Sequence, residues 1–160
     1  MEKPLVYLET SLISYITARP SRDLIVAAHQ HITLDWWENQ RHNFELFISQ
    51  IVIDEAKLGN TQAATKRLQI LEDITHLDIS KKEVEHFSRV LISYEIIPVK
   101  SLTDALHIAI SCVHGMNYLL TWNCKHIANA TKRMEIERVC TEFNYVYPVI
   151  CTPEELIKGD

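Results

Sequence analysis

The segment LVYLETSLISYI, residues 5–16, places a short apolar strand directly before an acidic residue and a helix. Its first four residues form the predicted first strand, Leu5–Leu8, and Glu9 stands where that strand ends. A short helix is expected at 11–16, with Thr10 or Ser11 as its cap. A strand that leads at once into a helix is typical of an alternating α/β chain.

The same alternation continues to the end of the chain. Further strands are predicted at 44–49, 74–79, 118–121 and 149–151. Helices are predicted after Ser21, at 51–58, at 61–71, from Ser80, from Ser101, at 131–143 and after Thr152. This order predicts a three-layer α/β/α sandwich around a mostly parallel sheet. The 160 residues are expected to form one domain, residues 1–160.

Three helix starts carry the spacing of a capping box. The pairs are Ser80 with Glu83, Ser101 with Asp104, and Thr152 with Glu155. The middle pair matters for function, because a capping role would explain Asp104 without any metal. The helix from Ser80 must end before Pro98.

Composition indicates an ordinary globular protein. Hydrophobic residues make up 47% of the chain and charged residues 23%, which is enough apolar material for a core. No apolar run approaches the ~20 residues that span a bilayer. The start, MEKPLVYLET, lacks the basic and long apolar regions of a signal peptide, so we expect a cytoplasmic protein.

Cysteine and histidine spacing does not favour a zinc or thiol site. The four cysteines are scattered without a CxxC pair, which favours reduced thiols. The alternative of zinc would depend on Cys124 and His126, which have no second ligand pair nearby. His107 and His114 share a helical face with Ser111, expected to be either solvated or a packing edge, and we expect no catalytic role for them.

Four oxygen-bearing side chains are the candidates for chemistry: Glu9, Glu55, Asp104 and Asn123. Ligands of parallel sheets bind outside the carboxyl ends of the strands, and Glu9 and Asn123 both follow strands. If all four converge, they make a pocket for a hard divalent cation. Each also has a structural alternative. Glu9 could be a solvated acid near a helix N-terminus, where negative charge is favoured. Glu55 could be a solvated helix residue, and spacing alone does not distinguish it from Asp54. Asn123 could cap the segment 125–128.

The absence of two motifs argues against nucleophilic catalysis and nucleotide chemistry, and the net charge bears on nucleic-acid binding. There is no G-x-S-x-G elbow, and the three glycines form no phosphate-binding loop. The net charge of −5 argues against strong non-specific binding of nucleic acid, although bound cations reverse the local field. Basic residues also lie near the candidate motifs: Arg19, Arg22, Lys57, Lys125 and Lys132.

Taken together, four strings resemble a PIN domain, of the kind found in VapC-like toxins and related bacterial proteins. They are YLETSLISY, IVIDEAKLG, SLTDALHIA and LLTWNCKHIAN, in the order and at separations that suit the family. The resemblance covers essentially the whole chain, to the closing PVICTPEEL. It implies a PIN-like fold and an RNase that depends on Mg²⁺ or Mn²⁺, and it implies a cognate antitoxin for toxin members.

The resemblance also assigns the site residue by residue. The family's three acidic metal-binding positions fall on Glu9, Glu55 and Asp104, and the position of Glu55 four residues before Gly59 favours it over Asp54. The fourth position, often Asp, falls on Asn123. Losing that charge weakens a second metal position more than the first, which favours a one-metal mechanism.

We therefore expect an endoribonuclease, the toxin of a type II toxin–antitoxin pair. Candidate RNA contacts are Thr10, Arg22, Lys57, Thr121 and Lys125. The alternative is a catalytically weakened PIN-fold module that binds RNA or protein, motivated by Asn123 and the negative charge. A phospho-acceptor domain is disfavoured, because it needs an acidic pair after the first strand and no such pair is clear here. Apolar residues beyond one stripe on the helices at 25–37 and after Ser80 indicate a homodimer or higher oligomer.

Overall fold

A five-stranded parallel sheet forms the centre of the computed structural model, which describes residues 2–159. The strands are β1 (Leu5–Leu8), β2 (Glu45–Ser49), β3 (Thr75–Leu77), β4 (Tyr118–Leu120) and β5 (Val149–Cys151). They lie in the order β3-β2-β1-β4-β5, and every neighbouring pair is parallel. The α/β class and the parallel sheet predicted from the alternation are confirmed.

Helices connect the strands of this part of the chain. They are α1 (Thr10–Thr17), α2 (Leu24–Asn39), α3 (Gln50–Ala56), α4 (Thr61–Leu71), α5 (Lys82–Ser93), α6 (Leu102–Val113) and α7 (Ala130–Glu142), with short 3₁₀ helices at Arg41–Asn43 and Val99–Ser101. The predicted bounds of β1, α4 and β5 match the structure, and most others differ by one or two residues.

The strand order reverses beside β1, and this reversal produces the layers. The chain moves from β1 to β2 and β3 on one side, then crosses to β4 and β5 on the other. Because crossovers between parallel strands are right-handed, the two directions place their helices on opposite faces of the sheet. In agreement, α1 packs against α2, α3 and α4, whereas α5 packs against α6. The result is the predicted three-layer sandwich.

Two of the predicted capping boxes are wrong, because a member of each box bonds a side chain outside the box instead. The Ser80 hydroxyl donates to Asp78 Oδ1 at 2.7 Å, and α5 starts after Lys81 without a side-chain cap. Ser101 also makes no capping hydrogen bond to α6, and the Asp104 carboxylate instead contacts His126.

The other corrections concern α2 and the C-terminal segment. Asp23, not Ser21, caps α2, since its carboxylate accepts hydrogen bonds from the amides of Ile25 and Val26. After Thr152 a turn at 153–155 replaces the predicted helix, although the Thr152 amide does donate to Glu155 at 2.8 Å. The carbonyl of Leu156, just after this turn, accepts from the Trp36 indole at 2.7 Å, and this contact ties the segment to α2.

The core lies between the sheet and both helical layers. The middle of β1 is fully buried, and α6 is buried on nearly every side from Ala105 to Cys112. The predicted apolar stripe of α2 is only partly internal, because Leu24 and Ile25 are 86% and 70% exposed. None of the helices within residues 2–159 combines the length and apolar character that crossing a bilayer requires.

Candidate metal centre

Glu9 occupies the point where the strand order reverses, at the carboxyl edge of the sheet. It follows β1 and caps α1, so its backbone is extended, and its carboxylate accepts from the Ser11 amide at 3.1 Å. The β1–β4 pairing continues past the strands, since the Glu9 amide donates to the Leu120 carbonyl at 3.1 Å. That register brings Thr121 beside Glu9. Ligands of open α/β sheets bind at this kind of position.

Glu9 is almost completely buried, at 6% exposure, and hydroxyl groups hold its carboxylate. Its Oε1 accepts from Ser11 Oγ and from Thr121 Oγ1, each at 2.5 Å. The alternative of a solvated acid at a helix N-terminus is therefore wrong for this residue, although the helix-capping part of it is confirmed.

Glu55 reaches the same place from α3. Its Oε1 accepts from Thr10 Oγ1 at 2.7 Å and contacts His107 Nε2 at 2.6 Å. The neighbouring Asp54 is exposed and bonds Gln50 on its own helix, so the structure distinguishes the two acids that spacing could not. Burial raises the pKa of Glu55, but the hydrogen bonds from His107 and Thr10 outweigh burial, and the net pKa lies below its usual value.

His107 is the residue that sequence reasoning left out of the site. It is fully buried, with Nδ1 at 2.7 Å from the Tyr7 hydroxyl, so the expectation of a solvated face is wrong here and packing is confirmed. His114 lies apart, with Nε2 at 2.7 Å from the Asp78 carbonyl. A signal was present in the sequence: Leu106 and Ile108 flank His107 in a helix whose turns are apolar on most sides, which is typical of a buried histidine.

Glu9, Glu55 and His107 together form a group that fits a divalent cation. Each offers one ligand atom, and these atoms all lie within 4.8 Å of one another. Two carboxylates suit Mg²⁺ or Mn²⁺, and an imidazole nitrogen would extend the donor set toward transition metals. Among the described residues, the group includes neither Asp104 nor the pair Cys124 and His126.

Asp104 lies in the first turn of α6 and forms a separate pair. Its Oδ2 is 2.8 Å from His126 Nδ1, and both side chains are largely buried. The structure therefore brings together two of the three predicted acidic ligands, Glu9 and Glu55, and gives Asp104 an imidazole partner.

Asn123 supports the turn that carries His126. Its side-chain oxygen accepts from the backbone amide of His126 at 3.1 Å. The backbone amide of Asn123 donates to Thr121 Oγ1 at 2.9 Å. The alternative in which Asn123 caps 125–128 is thus confirmed.

The predicted RNA-contact residues divide into two sets. Thr10 and Thr121 touch the two carboxylates of the candidate centre. Arg22, Lys57 and Lys125 are exposed, in the loop before α2, after α3 and in the turn after Asn123.

The four cysteines of the described chain are free. Cys112 and Cys140 are buried with their sulfurs 3.3 Å apart. This contact with Cys140, together with burial, raises the pKa of the Cys112 thiol, which disfavours the reactive thiolate.

Comparison with known proteins supports the fold. No protein-family model matches the chain, and a search of curated proteins gives no significant match. Among solved structures, the chain is similar to the crystal structure of FitAcB from Neisseria gonorrhoeae, with a TM-score of 0.55 and 15% identity. The likeness covers 94% of this chain and 99% of that one. The fold is PIN-like, as expected.

Proposed function

We propose that this protein is a metal-dependent endoribonuclease that hydrolyses RNA phosphodiester bonds. The observation that carries the proposal is the meeting of Glu9 and Glu55 at the reversal point of a PIN-like sheet, with ligand atoms close enough to share one cation. Three segments far apart in sequence supply the group, from the end of β1, from α3 and from α6.

The carboxylates of Glu9 and Glu55 would hold Mg²⁺ or Mn²⁺, with Asp104 near the start of α6 as a further acidic candidate. When bound, such a cation neutralises the scissile phosphate and lowers the pKa of water. The protein's part is to fix the ligands. Thr121 and Ser11 orient Glu9, and Thr10 orients Glu55.

The exposed cations provide the means to hold the substrate. Arg22, Lys57 and Lys125 are free to move toward a phosphate backbone, whereas the net charge of −5 offers little non-specific attraction. Binding to RNA is therefore expected to be weak without the divalent cation and to weaken further with salt.

Cleavage of a fluorogenic RNA in Mn²⁺ tests the proposal. Glu9→Gln and Glu55→Gln remove a ligand charge with little change of shape, and activity should fall by about 100-fold or more, since several kcal/mol of charge stabilisation are lost. Asp54→Asn is the matched control, because it removes a carboxylate one residue from Glu55 that lies outside the group. Equal activity in all four proteins would identify a contaminating nuclease.

A second candidate is a binding module in which catalysis has weakened. Two observations favour it: Asn123 uses its amide oxygen for a backbone cap, and Asp104 is paired with His126. Both leave fewer oxygens for a cation. Calorimetric titration with Mn²⁺ separates the candidates, because a module without metal binding gives no heat that depends on Glu9 and Glu55.

We further propose that the protein is the toxin of a pair and is neutralised by an antitoxin. The support is the PIN-like fold together with the family resemblance of the four strings. Induced expression should arrest growth, Glu55→Gln should relieve the arrest, and the product of the adjacent reading frame should co-purify with the protein. Arrest that persists in Glu55→Gln would contradict a toxicity based on this site.

A further inference from the structure

A chain of buried hydrogen bonds runs beneath the two carboxylates. Ser49 Oγ lies 2.8 Å from the Tyr7 hydroxyl, which lies 2.7 Å from His107 Nδ1. His107 Nε2 then lies 2.6 Å from Glu55 Oε1. Ser49, Tyr7 and His107 are fully buried. The three residues come from β2, β1 and α6, so the chain links three elements to one carboxylate.

The partners determine the direction of these hydrogen bonds. An ionised Glu55 only accepts, so the hydrogen of its contact with His107 sits on Nε2. In the neutral ring Nδ1 then accepts, and the Tyr7 hydroxyl donates to it. The Tyr7 oxygen can in turn accept from Ser49, so each contact has a donor and an acceptor.

The two carboxylate oxygens of Glu55 differ in their hydrogen bonds. Oε1 receives both the Thr10 hydroxyl and His107 Nε2. No hydrogen bond from the described residues reaches Oε2, which is therefore the oxygen available to a cation. Both nitrogens of His107 are already engaged, and its side chain is only 1% exposed. The ring is thus better placed to orient Glu55 than to bind a cation.

We propose that His107 is a positioning residue, which donates Nε2–H to Glu55 Oε1 and so holds the other carboxylate oxygen ready for the cation. This inference rests on the proposed metal centre. Hydrogen bonds to a ligand from outside the coordination sphere fix its orientation, and their loss usually weakens metal binding by about 10- to 100-fold. The role differs from direct ligation, the other chemistry open to this imidazole.

Titration of Mn²⁺ by electron paramagnetic resonance tests the role. His107→Ala should weaken Mn²⁺ binding by about 10- to 100-fold. His107→Gln should recover part of the loss, because a Gln amide can donate to Glu55 but cannot replace the ring's contact with Tyr7. His114→Gln is the matched control, since His114 follows the same helix and contacts a carbonyl far from the centre. Circular dichroism verifies that each variant folds.

Two spectra of the wild-type protein decide the question without any variant. ¹⁵N NMR of the metal-free protein should show His107 as the Nε2–H tautomer. Electron spin-echo spectra of the Mn²⁺ form should show no nitrogen bound directly to the metal. The Nδ1–H tautomer, or a directly bound nitrogen, would overturn the positioning role.

The outcomes also separate this inference from the proposed nuclease. Mn²⁺ binding that weakens in His107→Ala in a protein that cuts no RNA would leave the positioning role intact and end the nuclease proposal. RNA cleavage by the wild type, together with unchanged Mn²⁺ affinity in both His107 variants, would support the nuclease proposal and end the positioning role.

Discussion

Thr121 holds two polar groups of the candidate centre with one buried hydroxyl. Its Oγ1 donates to Glu9 Oε1 at 2.5 Å and accepts from the backbone amide of Asn123 at 2.9 Å. Thr121→Val keeps the shape and removes both contacts, so we expect the free energy of unfolding to fall by about 1–3 kcal/mol in urea denaturation. Thr65→Val, at an exposed position of α4, should change it by less than about 0.5 kcal/mol. An equal loss of free energy of unfolding in Thr121→Val and Thr65→Val would contradict a stabilising role for the Thr121 hydroxyl.

Glu55 should make the stability of the metal-free protein depend on pH. Burial raises its pKa in the folded state, but the hydrogen bonds from His107 and Thr10 outweigh burial and hold the pKa below its usual value. A carboxyl with a depressed pKa stabilises the fold above its unfolded pKa and loses that contribution as pH falls through the folded value.

The corresponding measurement compares wild type with Glu55→Gln in urea with EDTA at a series of pH values. The wild type should be the more stable protein near neutral pH, and its advantage should shrink as the pH falls below about 4.5. A difference that stays constant down to acidic pH would contradict a lowered pKa.

Site residues differ in how far the sequence alone could predict them. Glu9 was predictable because it ends an apolar strand, a local signal. The apolar helix around His107 indicated its burial, but its contacts were not predictable, because Tyr7 and Glu55 lie 100 and 52 residues away in the chain. Asp104 shows the same limit, since its contact with His126 spans 22 residues. Contacts between distant segments leave little trace in residue spacing.

Among the secondary-structure elements, α5 contrasts a buried face with an exposed one. Phe87 is fully buried and meets the Tyr145 ring with centroids 4.9 Å apart, whereas Arg89 on the same helix forms an exposed pair with Glu85. Phe87→Ala should lower the free energy of unfolding by about 3–5 kcal/mol, because it leaves a cavity. Arg89→Ala should change it by no more than about 0.5 kcal/mol. Urea denaturation measures both, and a small effect at Phe87 would contradict its place in the core.

Helix starts give a second comparison, between a cap that forms and one that does not. Asn60 Oδ1 accepts from the amides of Gln62 and Ala63 at 3.0 and 3.1 Å, at the start of α4. Asn60→Ala should therefore lower the free energy of unfolding by about 1 kcal/mol. Ser80→Ala should cost less, because its hydroxyl bonds the exposed Asp78 rather than α5. A larger loss at Ser80 than at Asn60 in thermal unfolding would contradict this assignment.

The two caps also show why helix boundaries are harder to predict than helices. Apolar residues at helical spacing after Ser80 predict α5 as a helix, because an amphipathic helix must bury one face. The first residue of a helix depends instead on which acceptor wins a local competition. At Ser80 the competitor is Asp78, two residues earlier, and a capping-box pattern does not take it into account.

At the scale of the whole molecule, strand order decides which residues can meet. The alternation of strands and helices predicted a parallel sheet but no particular order. The order β3-β2-β1-β4-β5 sets β1 between β2 and β4, so that the residues after all three strands converge on one edge. Glu9, α3 with Glu55, and Thr121 lie there for that reason. This convergence supports the proposed metal-binding function for acids that each have an ordinary explanation in sequence.

A cation held between these segments should stabilise the whole fold. Binding to the folded state alone adds about 2.7 kcal/mol at a metal concentration 100-fold above the dissociation constant. We expect Mn²⁺ to raise the melting temperature of wild type and of Asp54→Asn, and to leave Glu9→Gln and Glu55→Gln nearly unchanged, because the latter two lose a ligand from the group. Differential scanning calorimetry measures the shift, with EDTA to reverse it. If Mn²⁺ stabilises all four proteins equally, the cation binds elsewhere on this acidic chain, and the strand ends do not form a metal centre.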